Sequence, residues 1–277
     1  MNPWSNAAIL GFVQGVTEFL PISSDGHLTL LESFLPGMRP DLAFNVFLHG
    51  ATLLAMLVYF RRDIGCLIQG FIMSFVPMFR ARSYKPILKD EWMSGAWLII
   101  IATIPTGIVG LALKHVTETY LMTRYYAAIG ELITGAWVLV AYFMLLAYQK
   151  RASLSQGLNV FQVLVLGFFQ GVAVLPGVSR SGLTVGTGLM FGVEPKKMAR
   201  FSFLMALPAV LAAFSLELPD MIAQATITPP ACLGFAVSFG VGLASIHLFL
   251  KTINRSYFWL YGVYCLILGT VVLRFFV

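Results

Sequence analysis

The stretch LGFVQGV at 10–16 returns as LGFFQGV at 166–172. Each copy runs within a few residues into a Leu-Pro pair and a serine-containing turn, LPISSDG at 20–26 and LPGVSRSG at 175–182. The likeness continues downstream, where AFNVFLHGATLLA at 43–55 can be laid over RFSFLMALPAVLA at 200–212. The chain therefore reads as two related halves, 1–150 and 151–277, and its fold must accommodate the same unit twice.

What kind of unit follows from the apolar runs between the motifs. The chain is 58% hydrophobic and only 11% charged, against about 25% charged in ordinary soluble domains. A helix needs roughly 20 apolar residues to cross a hydrocarbon core of ~30 Å. Such stretches recur at 42–60, 92–113, 125–148, 231–250 and 257–277, with a shorter one at 201–216. This predicts an all-α polytopic membrane protein with about six transmembrane helices in one integral membrane domain. Each half then holds three spans, an odd number, so the second half sits inverted relative to the first.

Inverted repeats place their site near the midplane at the repeat interface and build it from broken helices. The segments 5–36 and 158–192, interrupted by Gly, Pro and Ser, are predicted to be re-entrant helical hairpins that enter from opposite faces and meet tip to tip. Non-helical backbone at that depth is tolerated only inside protein or beside a wet cavity, so the tips should enclose a polar pocket. The segment 64–79 is apolar but short and reads as a buried or interfacial helix rather than a span.

The net charge of +6 does not point to nucleic acid, because the positive residues are spread over short loops rather than gathered with aromatics. The positive-inside rule accounts for them. With 61–91 in the cytoplasm, Arg61, Arg62, Arg80, Arg82, Lys85 and Lys89 lie inside, and alternation adds Lys150, Arg151, Lys196, Lys197, Arg200, Lys251 and Arg255. Arg39, Lys114, Arg124 and Arg274 fall outside, as do 217–230 and both chain ends. No Lys or Arg precedes Arg39, so the basic start of a cleavable signal peptide is missing and the N-terminus is expected to be retained. Cys66, Cys232 and Cys265 have neither zinc-site spacing nor an even count, and cysteine chemistry is not expected.

The polar residues concentrate in the two turns. Gln14 and Glu18, four apart, share a helix face, and Thr17, Ser23, Ser24, Asp25 and His27 follow. A carboxylate at membrane depth is costly unless paired or solvated, which marks Glu18 as functional. A lone histidine on an apolar helix is more often a satisfied core residue than a catalyst, but His27 stands beside a serine and a carboxylate. His49 and His247 read as structural, and Glu131 stays open between a second polar site and an interfacial residue.

In PGVSRSGLT at 176–184, Gly177 and Gly182 permit tight turns, and Ser179, Ser181 and Thr184 supply hydroxyls. Arg180 adds a rigid five-donor fork suited to phosphate oxygens. A helix starting near Ser181 contributes free N–H groups and a positive dipole end. One turn thus carries a serine, a histidine and a carboxylate, and the other a phosphate clamp. Those are the parts of a phosphoryl-transfer site.

At these residues, QGVTEFLPISSDGH at 14–27 and PGVSRSGLT at 176–184, the chain resembles the bacterial undecaprenyl pyrophosphate phosphatase family associated with bacitracin resistance. FNVFLHGATLLAMLVYFRRD and ARFSFLMALPAVLAA also look like the family, so the resemblance covers most of the chain. It implies a phosphatase of the bacterial inner membrane, open to the outer (periplasmic) side, that removes the terminal phosphate of a C55 isoprenoid diphosphate and regenerates the lipid carrier for cell-wall synthesis.

The family's divalent-metal dependence, Mg2+ or Ca2+, carries over to Glu18, with Gln14 and Asp25 as further candidate ligands. Its nucleophile matches Ser24, its histidine His27 and its phosphate-binding arginine Arg180, with Ser179, Ser181, Thr184, Gly177 and Ser23 around the phosphates. Gln14 fills a position where many members have glutamate and offers a neutral ligand. Asp25 takes a slot more often held by threonine, and its charge either holds a cation or repels a diphosphate.

Ser24 attack with His27 shuttling the proton gives a phosphoserine that water hydrolyses; direct attack by a metal-activated water is the other route. A flippase for polyprenyl phosphate is the competing function, since midplane polar sites in inverted repeats also serve transport. The expected partners are the polyprenyl diphosphate lipid and the bilayer, with no nucleic acid, and a homodimer is among the assemblies open to such a chain.

Overall fold

A computed structural model of the chain describes residues 2–34, 42–80, 85–150, 154–155, 157–223, 227–253 and 257–277. Arg39, Arg82, Arg151 and Arg255 of the charge pattern, and the last two residues of the 5–36 hairpin, lie outside the described residues. The first half begins with a helix pair, α1 (Pro3–Thr17) and α2 (Ser24–Phe34). It continues through α3 (Leu42–Tyr59), α4 (Arg61–Arg80), the short α5 (Lys85–Lys89), α6 (Glu91–Val116) and α7 (Arg124–Lys150). The second half begins with the pair α8 (Val160–Val172) and α9 (Arg180–Met190), followed by α10 (Pro195–Ala223), α11 (Pro229–Thr252) and α12 (Phe258–Phe275).

Five of these helices are long and apolar enough to cross a membrane, and α3 with α4, bent by 73° at their junction, brings the number to six if they form one broken span. The chain is a multi-pass, all-helical membrane protein among its described residues. The 201–216 run lies within α10, which is longer because Pro195–Arg200 and the residues past Leu216 continue the helix. The 64–79 segment lies in α4, whose Ile72, Val76 and Phe79 remain exposed.

Helix starts follow local chemistry. Asn2, Asp90, Asn159, Ser179 and Thr228 each accept a hydrogen bond from a backbone N–H in the first turn of the helix they precede, a contact that contributes about 1 kcal/mol each.

The repeated heptapeptide has a packing role. A Cβ on Gly11 would lie 2.2 Å from the Gly234 carbonyl oxygen, and one on Gly167 would lie 2.1 Å from that of Ala102. The small residues let α1 press its backbone onto α11 and α8 onto α6, the close crossing that small-xxx-small patterns allow in membranes. Each helix pair is thereby packed on the opposite half of the chain. Phe19, buried between α1 and α2, meets Phe203 of α10 edge-on at 5.6 Å, so a core shared by both halves lies directly beneath the first turn.

Candidate active site

The turn Glu18–Ser23 joins α1 to α2, and Ala173–Ser179 joins α8 to α9. Both helices that leave these turns start the same way: Gly26 N–H donates to Ser23 Oγ at 3.2 Å and Gly182 N–H to Ser179 Oγ at 3.0 Å. Gly177 has φ +76°, and a Cβ there would sit 1.9 Å from the Ala127 carbonyl oxygen, so only glycine suits this position. Ser181 Oγ donates to the Leu20 carbonyl at 2.7 Å, a direct bond from the second turn to the first. The two turns meet.

Glu18 is the centre of the meeting. Arg180 Nη2 donates to its Oε1 at 2.5 Å, while Ser24 Oγ donates to Oε2 at 2.7 Å and Gln14 Nε2 to Oε2 at 3.0 Å. A buried carboxylate is tolerable when it is paired and hydrogen-bonded in this way. Arg180 Nη1, also buried, has no partner. Within α9, Ser179 takes up the Gly182 N–H through its side chain and the Leu183 N–H through its carbonyl. The N–H groups of Arg180 and Ser181, the first two of the helix, then stand at its positive end.

The other hydroxyls of the second turn are occupied within the protein. Ser179 caps the helix, Ser181 holds Leu20, and Thr184 bonds Ser202 of α10 at 2.6 Å. Ser23 likewise caps α2. These four side chains shape the turns, while Arg180 and the start of α9 keep donors to offer.

His27 is placed differently from Ser24. Its Nδ1 lies 2.6 Å from the Ser23 carbonyl and 3.4 Å from Glu131 Oε1, and its Nε2 lies 2.7 Å from the Tyr264 hydroxyl. The atom that receives the Ser24 hydroxyl is the Glu18 carboxylate.

Two residues outside the motifs join the site. His49 of α3, read from sequence as structural, stands between two carboxylates, with Nδ1 3.2 Å from Glu18 Oε2 and Nε2 2.9 Å from Asp25 Oδ1. That contact answers the question raised by Asp25: its charge is paired by His49. Glu131 of α7, fully buried, faces His27. The only sequence signal for either residue was a polar side chain inside an apolar run. His247 bonds Tyr59 at 3.3 Å away from this cluster.

The donor set around Glu18 can be tested against a divalent ion. Among the described residues no group of three His, Cys, Asp or Glu is disposed to hold a metal by itself. Gln14 Oε1, however, is buried without a hydrogen-bond partner beside Glu18. An all-oxygen set of one carboxylate and one amide fits a hard cation that shares its remaining positions with substrate phosphates and waters, the usual arrangement for Mg2+.

A family model described as "Bacitracin resistance protein BacA" matches residues 7–271. The chain belongs to this family. Its curated relatives include an "Undecaprenyl-diphosphatase" of Methanosphaera stadtmanae, 38% identical over 272 residues that cover 96% of this chain and 95% of the relative. Proteins of the same name from Desulfosudis oleivorans, 35% identical with 96% of each chain covered, and Syntrophotalea carbinolica, 38% identical with 95% of each covered, are similar to the same extent. The BacA match begins within α1 and spans both turns, so the site lies wholly within the family's shared region.

Proposed function

We propose that the protein hydrolyses undecaprenyl diphosphate to undecaprenyl phosphate and inorganic phosphate in the membrane, recycling the lipid carrier of cell-wall synthesis. The observation that carries this reading is the single carboxylate shared between turns. Glu18 accepts the Ser24 hydroxyl on one oxygen and Arg180 on the other, while Arg180 keeps a buried, unpartnered Nη1.

The diphosphate enters laterally from the outer leaflet, and Arg180 with the N–H groups opening α9 grips its phosphates. Ser24 Oγ attacks the terminal phosphorus and passes its proton to Glu18 Oε2. The bond from that phosphorus to the lipid-side oxygen breaks, and undecaprenyl phosphate leaves. Water then attacks the phosphoserine and gives a proton to His27, the bond from phosphorus to Ser24 Oγ breaks as Ser24 recovers its own proton from Glu18, and His27 passes its proton to bulk water as inorganic phosphate departs. A divalent cation, Mg2+ or Ca2+, held by Glu18 and Gln14 Oε1, would offset the charge of the diphosphate. The neutral Gln14 and the His49-paired Asp25 keep the wall from adding free negative charge around an anionic substrate.

A flippase would need the anion clamp but not a serine hydrogen-bonded to a carboxylate, and the relatives bear the name of a hydrolase. The charge pattern supports the inner membrane with the site open to the outer side. The experiment is phosphate release from C55 diphosphate by the purified protein, with and without chelator, for wild type, Glu18→Ala, His27→Ala and Arg180→Ala. Each variant, and the chelated wild type, is expected to lose at least about 100-fold in rate. Undiminished release by all three variants sinks the site. Lipid movement between leaflets without release by wild type favours the flippase.

A further inference from the structure

Glu131 is fully buried, and neither carboxylate oxygen has a hydrogen-bond partner. A carboxylate in that condition at membrane depth is costly, which marks it as a functional candidate. Its surroundings are specific. The preceding residue, Gly130, lies so close to the second turn that a Cβ there would stand 2.1 Å from the Pro176 carbonyl oxygen. A Cβ on Gly26, in the first turn of α2, would stand 2.8 Å from Glu131 Oε1 itself. Helix α7 therefore delivers this carboxylate into the seam between the two turns.

The titratable groups facing it there are His27 of α2, with Nδ1 at 3.4 Å, and Tyr264 and Cys265 of α12. Of these, only His27 can become a cation.

The ring of His27 has its orientation set by chemistry. The Ser23 carbonyl 2.6 Å from Nδ1 can only accept, so Nδ1 carries the proton and Nε2 is the basic nitrogen, with the Tyr264 hydroxyl donating to it at 2.7 Å. When Nε2 takes up a proton, both nitrogens become donors: Nδ1 to Ser23, Nε2 to Tyr264. A positive charge then appears on the ring beside Glu131.

We propose that Glu131 is a positioning residue for His27, holding the ring from the side of α7 and balancing the charge it gains when it accepts a proton in the reaction. The pairing shares with a catalytic triad a carboxylate that stabilises the imidazolium without touching substrate, but here the Nδ1 proton goes to the Ser23 carbonyl and the carboxylate acts across 3.4 Å. This inference rests on the phosphatase reading above, where His27 takes the proton of the attacking water. It adds α7 to a site otherwise built from the two turns, α3 and Tyr264 of α12.

The test is steady-state phosphate release by the full-length protein in detergent for wild type, Glu131→Gln, Glu131→Asp and His27→Ala, and for the double variant Glu131→Gln with His27→Ala. Glu131→Gln is expected to lower kcat by about 10-fold or more with KM within about twofold, since the carboxylate acts on proton transfer and not on binding. Glu131→Asp is expected to recover part of that loss. In the His27→Ala background the Gln substitution is expected to change nothing further, the non-additivity that marks two residues acting as one.

Equal kcat for Glu131→Gln and Glu131→Asp, or an undiminished effect of the Gln substitution without His27, overturns the inference. Should Glu131→Gln not fold, the Asp variant in the two backgrounds makes the same comparison, and a loss that persists without His27 overturns it. No release by wild type overturns the proposed function and this inference with it, whereas an active wild type indifferent to Glu131 overturns the inference alone.

Discussion

His49 and Asp25 show how an odd residue can be explained by a partner far along the chain. Asp25 is 47% exposed at its side chain, so its ion pair with His49 is worth no more than about 1 kcal/mol. Asp25→Thr is accordingly expected to change the phosphate-release rate by less than about fivefold. His49→Ala removes the ion-pair partner of the buried Glu18 carboxylate and the ring that Gln14 Nε2 meets at 2.8 Å, and a contact to a charged group is worth about 1.5–3 kcal/mol. The expected loss is about 10- to 100-fold in the same assay, and a His49→Ala rate equal to wild type contradicts the placement.

Ser24, Glu18 and Arg180 were legible in sequence because each turn is a short polar cluster with a local signature. His49 and Glu131 were not legible, since their partners lie on other helices and a single histidine or glutamate in an apolar run looks the same whether it serves structure or chemistry. The hydroxyls of Ser179, Ser181 and Thr184 were legible as polar but not as already bonded, because Leu20 and Ser202 come near only in the folded chain.

Among the helices, the spans followed from hydropathy. What hydropathy could not convey is that each helix pair packs on the other half, because an apolar face carries no address in lipid. The address is steric, written in Gly11 and Gly167. Gly11→Ala and Gly167→Ala are each expected to destabilise the protein by about 1–3 kcal/mol through overpacking against backbone, read as a lower melting temperature in detergent. Gly107, in α6, has nothing within 4 Å of an added Cβ, so Gly107→Ala is expected to leave stability unchanged or raise it by up to about 1 kcal/mol through helix propensity. Equal effects at all three positions speak against the crossings. The break between α3 and α4 was legible, since 42–60 reads as a span and 64–79 as a separate buried or interfacial helix, but its angle of 73° was not, because no proline or glycine marks the junction at Phe60.

For the whole molecule, two ion pairs relate the ends of the helices. Arg200 at the start of α10 pairs with Asp63 at the start of α4, and Lys114 near the end of α6 pairs with Glu217 near the end of α10. Helix α10 links the two pairs across its length, so they mark opposite faces. In the orientation proposed above the Asp63 face is inside. Glu118, in the helical turn Thr117–Leu121 that follows α6, lies beside Lys114 at 3.7 Å; a cysteine-free background carrying Glu118→Cys is therefore expected to react with a membrane-impermeant thiol reagent from the outer side, and one carrying Arg62→Cys only from the inner side. Labelling of both from one side refutes the topology.

In the proposed mechanism the first turn supplies the attacking group and the second holds the phosphate. The most direct test is to measure binding of C55 diphosphate and phosphate release together for Ser24→Ala and Arg180→Ala. Ser24→Ala is expected to bind the lipid as wild type does and release no phosphate, and Arg180→Ala to lose binding by at least about 10-fold, the cost of a charge-assisted contact. Phosphate release by Ser24→Ala at the wild-type rate, or unchanged binding by Arg180→Ala, contradicts it.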